Sequence, residues 1–242
     1  MTPNIRTIFF DLDNTLIDHT HAQRAALGDV YNRYRAVFHH ISCDDFIAEY
    51  EKVNDKLWTA LANTEITIEE LRIQSFMLTL QHLYTLTPIV KHDLRDAFGM
   101  HPYYRERYET YTRETDGASR VLRSLSGTYS LGIISNGFTD IQNIKIDQLG
   151  WRRFFSFVVL SEDVGIMKPH AGIFESAALT AKHSPDELAF VGDHFVNDVA
   201  AAKRAGWNAV WYNPSRKEAP DVCADAIISS LDEVSELFLQ TN

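Results

Sequence analysis

Four short stretches of this chain place acids, hydrogen-bond donors and a cation at spacings that could act on an anion. The first is Asp11-Leu12-Asp13-Asn14-Thr15-Leu16, directly after the apolar residues 8–10. Residues i and i+2 of an extended segment project the same way, so Asp11 and Asp13 would present two carboxylates together. Neighbouring carboxylates repel unless a proton or cation intervenes, and hard oxygen donors suit Mg²⁺. The same residues also fit a polar turn in which Asp caps a helix. The second stretch is Ser135-Asn136-Gly137. Its hydroxyl, side-chain amide and glycine-freed backbone can all donate to a phosphoryl group, although Ser-Asn-Gly is equally an ordinary loop. The third, Lys168-Pro169, sets a point charge on a restricted backbone, while most lysines are simply solvated. The fourth runs Gly192-Asp193-His194-Phe195-Val196-Asn197-Asp198. It puts Asp193 at a strand end and Asp198 near the start of a helix, where Asp198 or Asn197 would also serve as a cap.

These stretches need elements to hold them. Apolar runs at 6–10, 131–134, 157–160, 189–191, 209–212 and 226–228 read as buried strands, with helical patterns at 173–180 and 198–205 between the later ones. Strands alternating with helices predict an α/β fold, a Rossmann-like parallel sheet covered on both faces. All four stretches then fall at carboxyl ends of strands or in the loops after them, where open α/β sheets bind ligands. Residues 18–112 differ. Phe46, Tyr50, Val53, Leu57 and Leu61 share one helical face, as do Ile73, Phe76, Met77, Leu80, Leu83 and Tyr84, and Leu27, Val30, Tyr31, Tyr34 and Phe38. This stretch predicts an α-helical insert, punctuated by Pro88 and by residues 99–102, between a core formed of 1–17 and 113–242.

Composition narrows the possible functions. The 242 residues are 45% hydrophobic, enough for a sizeable core plus a smaller lobe, and carry a formal net charge of −10. That field repels a nucleic acid polymer, and no Lys/Arg-rich run opposes it; small anions stay possible where a metal and one lysine reverse the potential locally. No apolar run approaches the ~20 residues of a membrane helix. The first residues lack a signal-peptide pattern, because Asp11 and Asp13 interrupt the apolar stretch, so a cytoplasmic location is expected. Cys43 and Cys223 lie far apart and suggest two unpaired thiols. Nothing indicates a required protein partner.

Taken in order, DLDNTL at 11–16, SNG at 135–137, KP at 168–169 and GDHFVND at 192–198 resemble the motifs of the haloacid dehalogenase-like (HAD) superfamily of aspartate-nucleophile phosphatases. The resemblance covers the whole chain, with the helical stretch in the place of that family's cap. It implies that Asp11 attacks phosphorus to form an aspartyl-phosphate and that Asp13 protonates the leaving alkoxide, then deprotonates the hydrolytic water. It implies Mg²⁺ held by the Asp11 carboxylate, the Asp13 carbonyl and Asp193, with Asp198 as a supporting or water-mediated ligand. Ser135, the 136–137 backbone and Lys168 would stabilise the phosphoryl oxygens. A dehalogenase lacks the second aspartate that Asp13 supplies.

Within the superfamily the chain looks most like the YjjG-type pyrimidine 5′-nucleotidase branch, on VNDKLW at 53–58, GIISNGF at 132–138 and SEDVG at 161–165. That implies a small phosphorylated metabolite as substrate, a pyrimidine nucleoside 5′-monophosphate first. A phosphatase for flavin mononucleotide or a sugar phosphate, a phosphomutase, and a non-catalytic binding module are the alternatives. The insert would exclude water and set specificity. Trp58 and the tyrosines 103, 104, 108 and 111 would either stack on a base or pack the cap, and His194 would either touch substrate or sit idle in its loop. His19, His21, His39 and His40 lack acidic or thiol partners at metal-ligand spacing.

Overall fold

The computed structural model describes residues 4–38, 40–86, 95–218 and 224–239. Pro88, His39 and Cys223 lie outside them. Six strands form one parallel sheet: β1 (Thr7–Phe10), β2 (Ser130–Ser135), β3 (Phe155–Leu160), β4 (Leu188–Gly192), β5 (Asn208–Tyr212) and β6 (Ala226–Ile228), in the order β3-β2-β1-β4-β5-β6. The α/β architecture matches the sequence reading, strand for strand. Parallel strands must be covered on both faces, and the alternation in β1 shows how this chain does it. Ile8 and Phe10 enter one apolar layer with the helices α5 (Ala118–Leu125) and α10 (Asp232–Leu239), through Val121, Leu122, Leu125, Val234 and Phe238. Phe9 enters the opposite layer with Ile173, Phe174 and Ala177 of α8 (Ala171–Ala181). Gly132 faces Phe9 in β2, where any Cβ would run into the phenyl ring.

β1 is central, with β2 on one side and β4 on the other, and the strand order reverses direction there. Such a switch point opens a crevice beyond the carboxyl ends of the strands. Beyond Phe10 the chain doubles back: the amides of Leu16 and Ile17 donate to the Leu12 carbonyl at 3.0 and 2.9 Å, and Asn14 donates to Ile17 at 2.7 Å. It then runs beside the returning segment, Thr115 donating to Leu16 at 2.8 Å and Asp18 to Arg113 at 3.1 Å.

Contacts divide the chain into two compact units, residues 1–19 with 113–242 and residues 20–112. The second unit is helical. It contains most of α1 (His19–Arg33), then α2 (Cys43–Ala62), α3 (Ile68–Leu86) and α4 (Arg95–Thr110) around Leu27, Val30, Phe46, Tyr50, Phe76, Leu80 and Met100. Ser42 caps α2, its Oγ accepting from the Asp45 amide at 3.1 Å.

Three expectations need correction here. Tyr34 and Phe38 lie past the end of α1, in turns, although Phe38 still reaches the apolar centre. Ile73 is 51% exposed, so the apolar stripe of α3 is narrower than its sequence suggests. Gly99 and Pro102, read as punctuation, lie inside α4. Packing outweighs their poor helix propensity there, because Met100 and Tyr108 on the same helix are buried. Among the described residues no helix is long and apolar enough to cross a membrane.

Candidate active site

The carboxyl ends of β1, β2 and β4 bring most of the expected residues together. Asp11 follows β1 and is 6% exposed; its amide donates to Val191 at 2.9 Å, which ties it to β4. Lys168, almost wholly buried, reaches it from the segment after β3, with Nζ 2.6 Å from Asp11 Oδ1 and 2.7 Å from Asp198 Oδ1. Asp198 is 1% exposed, and its second oxygen accepts from the His194 amide at 2.9 Å. Gly192 makes room for this, since a Cβ there would stand 2.5 Å from Asp198 Oδ2.

Burial governs the electrostatics. It pushes the Asp11 carboxyl well above the ordinary carboxylate range, against the pull of Lys168 and helped by Asp198 and Asp193. Asp193 is raised to about 7, by burial first and then by the Asp198 charge. Lys168 is raised although burial opposes it, because two carboxylates hold its proton. Carboxylate oxygens of Asp11, Asp193 and Asp198 lie within 4.8 Å of one another. Three carboxylates gathered this closely, two of them buried, and built from oxygen donors only, fit a hard divalent cation such as Mg²⁺.

Asp13 has a different environment. Lys145 Nζ donates to its Oδ1 at 2.6 Å, Gln142 Nε2 to its Oδ2 at 2.7 Å, and His19 Nδ1 is 3.9 Å from Oδ1. Burial acts to raise Asp13, but Lys145, His19 and these hydrogen bonds together hold it down at about 2. Burial also keeps the His19 ring below its ordinary value.

Ser135 ends β2, 2% exposed, and its Oγ accepts from the Gly137 amide at 3.1 Å and from Gln142 Nε2 at 2.8 Å. Both lone pairs are then occupied, so its proton is free to be donated elsewhere. Gly137 is required for this contact, because any Cβ at that position would collide with Gln142. Asn136 departs from expectation. Its amide Nδ2 donates to the Lys168 carbonyl at 2.8 Å and its Oδ1 accepts from the Lys168 amide at 2.8 Å. The Asn136 side chain therefore holds the lysine segment with its oxygen and with its amide nitrogen.

The fourth stretch is also rearranged. A π-helical turn, Phe195–Ala200, precedes α9 (Ala201–Arg204), so the helical segment starts earlier than expected and Asp198 lies inside it. The cap is His194, exposed, with Nδ1 accepting from the Asn197 amide at 3.1 Å. The wider turn is what lets Asp198 point back to Lys168. Trp58 sits on α2 in the helical unit, half-buried. Tyr104 packs against Tyr50, Phe76 and Tyr108 within that unit, and Tyr111 donates to Asp29 at 2.9 Å, so these tyrosines have internal partners.

Sequence reasoning passed over Thr15, Gln142 and Lys145, and it read His19 as lacking an acidic partner, whereas the fold brings its Nδ1 to 3.9 Å from Asp13 Oδ1. Thr15 Oγ1 accepts from the Asp193 amide at 3.1 Å. Gln142 and Lys145 lie on α6 (Thr139–Gln148), where with Ile146 they form a buried i, i+3, i+4 face, a polar pair that sequence alone would leave to solvent.

Comparison with known proteins agrees with this geometry. The family model described as haloacid dehalogenase-like hydrolase matches residues 5–206. The pyrimidine 5′-nucleotidase YjjG of Escherichia coli is 31% identical over 234 residues, which cover 96% of this chain and 96% of that protein. A glyceraldehyde 3-phosphate phosphatase of Pyrococcus furiosus is 28% identical over 243 residues, covering 98% and 95%. Among solved structures, the magnesium-bound HAD-hydrolase YfnB of Bacillus subtilis superposes with a TM-score of 0.83 at 24% identity, over 98% of this chain and 99% of that one, a likeness of fold.

Proposed function

Because the chain belongs to the haloacid dehalogenase-like hydrolase family, we propose that it is a Mg²⁺-dependent phosphomonoesterase for small phosphorylated molecules, with pyrimidine nucleoside 5′-monophosphates first among them. The observation that carries this reading is the buried Asp11 carboxylate, fixed through one oxygen by Lys168 with a second aspartate, Asp13, two residues on. Its other oxygen is then the nucleophile for an in-line attack, which forms an Asp11 O–P bond as the ester P–O bond breaks. Lys168 and the Ser135 hydroxyl, with its proton free to donate, offset charge on the phosphoryl oxygens.

The leaving alkoxide needs a proton, and Asp13 is the acid beside the nucleophile. Lys145 and its neighbours favour the ionised form of Asp13; the charge of the arriving ester opposes that ionisation and favours proton uptake. Asp13 then takes a proton from the water that cleaves the Asp11–phosphate bond. Mg²⁺, held by Asp11, Asp193 and the Asp13 carbonyl, would supply positive charge against the phosphoryl oxygens. Asp198, engaged by Lys168 and the His194 amide, would order the site rather than ligate directly.

The substrate preference rests on the nucleotidase relative that aligns along nearly the whole chain. A triose or sugar phosphate is the second reading, favoured by the glyceraldehyde 3-phosphate phosphatase that aligns as completely. The deciding experiment is phosphate release from nucleoside monophosphates, flavin mononucleotide and sugar phosphates, with Mg²⁺ and with EDTA. Release that needs the metal and is fastest on pyrimidine 5′-monophosphates is the expected result. Metal-dependent release fastest on sugar phosphates would replace the substrate and keep the chemistry; transfer of phosphate to a sugar acceptor would make the protein a mutase.

A further inference from the structure

The geometry points to Gln142 and Lys145 as positioning residues that fix the Asp13 carboxyl group for proton transfer, with Gln142 also coupling Asp13 to the phosphate-binding Ser135; this rests on the phosphomonoesterase reading. Neither residue belongs to the four motifs, yet both project from α6 to the centre of the site. Gln142 is 0% exposed and Lys145 2%. A lysine so far removed from water is retained only where a partner compensates its charge, and its Nζ stands 2.6 Å from Asp13 Oδ1. With Gln142 on Oδ2 at 2.7 Å, each carboxylate oxygen has its own donor. The carboxyl plane is thereby set, which a single donor would leave free to turn.

Gln142 spends one amide nitrogen on two acceptors, Asp13 Oδ2 and Ser135 Oγ. Its Oε1 is buried and meets no donor among the described residues. Turning the amide over would place that oxygen against the Asp13 carboxylate, so the acceptors dictate its orientation. An amide held at the expense of a buried, unpaired oxygen is selected for where its nitrogen points. The result is one rigid link: the Ser135 lone pairs are filled so that its proton is free to be donated, and Asp13 is aimed from the same side chain.

This assignment makes an ester-selective prediction. An alkoxide must be protonated as it leaves, whereas nitrophenolate leaves without a proton. The measurement is kcat/KM with saturating Mg²⁺ on a nucleoside 5′-monophosphate and on p-nitrophenyl phosphate. Lys145→Met is expected to lower the alkyl ester about 10²-fold, the size of a misplaced acid, while the aryl ester stays within a few-fold of wild type. Lys145→Arg, which keeps the charge, restores part of the alkyl activity. Gln142→Ala also unties Ser135 and lowers both esters, the alkyl one more. In the first turnover, before the step in which Asp13 is the base, Asp13→Asn shows the same selectivity as Lys145→Met, and combining the two adds no further loss, because the lysine acts through the aspartate.

Equal loss on both esters, or a full additional loss in the double variant, would make Lys145 a merely structural residue and overturn the inference. So would wild-type behaviour of Lys145→Met. Should Lys145→Met fail to fold, Lys145→Arg and Gln142→Ala decide by the same ester ratio. A wild-type protein that hydrolyses neither ester overturns the phosphomonoesterase reading itself, and this inference with it.

Discussion

At the scale of single residues, the site is a set of acids held in environments that pull their proton affinities apart. Asp193 is raised to about 7 and Asp11 is raised as well, both first by burial, whereas Lys145 and its neighbours hold Asp13 near 2. The consequence for stability has a definite sign. Unfolding lets the raised acids ionise at their ordinary value near 3.8, so for Asp193 the stability present below about 4 is lost as pH climbs to about 7. Mg²⁺ competes with the same protons, and its stabilising effect should grow over that window. The thermal midpoint is therefore expected to rise more on adding saturating Mg²⁺ at pH 8 than at pH 5. An equal or smaller rise at pH 8 would mean that these carboxylates are not where the metal binds. Asp11→Asn should abolish turnover, by about 10⁴-fold or more as for other lost nucleophiles, yet fold normally, because Lys168 keeps Asp198 as its partner; steady-state rates and circular dichroism check both halves. Asp11, Asp13, Ser135, Lys168, Asp193 and Asp198 were legible in the sequence because each sits in a short motif at a strand end or in the segment that follows one. Gln142 and Lys145 were not, since only burial distinguishes an inward lysine on a helix from a solvated one.

At the scale of elements, strands were legible and irregular helices were not. A central parallel strand is apolar on both faces, so Ile8, Phe9 and Phe10 identify β1 without reference to anything distant. The π-helical turn at Phe195–Ala200 carries Asp198 to Lys168, thirty residues earlier in the chain, a long-range contact that no local pattern announces. α4 was missed for a related reason: Gly99 is there to admit a neighbour. A Cβ at 99 would stand 2.7 Å from the Tyr34 hydroxyl, whereas the next atom of that ring is at 3.6 Å, an ordinary contact. Only the oxygen forbids alanine. Gly99→Ala alone should therefore gain nothing or lose stability, the clash offsetting its better helix propensity. In a Tyr34→Phe background the same change should stabilise by about 1 kcal/mol, the usual Gly-to-Ala difference inside a helix. Urea unfolding of the four proteins measures this coupling. Additive effects would show that Gly99 answers to something other than Tyr34.

At the scale of the whole molecule, the difficulty for a phosphatase is charge. The chain carries a formal net charge of −10, and its site repeats that excess: among the described residues, Asp11, Asp13, Asp193 and Asp198 are met by two lysines, Lys145 and Lys168, and by His19, whose ring is held by burial below its ordinary value. Fully ionised, this leaves two uncompensated negative charges where a phosphoryl dianion must bind. One like-charge pair about 4 Å apart costs about 4 kcal/mol at an effective dielectric constant near 20, or about 10³-fold in affinity. Two lysines cannot remove that cost, because the carboxylates beside them already claim their charge. A divalent cation brings the site to formal neutrality, so the fold makes anion binding conditional on the metal. Inorganic phosphate should raise the thermal midpoint of the Mg²⁺-loaded protein and leave that of the EDTA-treated protein unchanged, with titration calorimetry showing the same contrast. Phosphate bound equally well without a divalent cation would mean that Lys168, Lys145 and the Ser135 hydroxyl suffice for the anion, and the carboxylate cluster would then need another purpose.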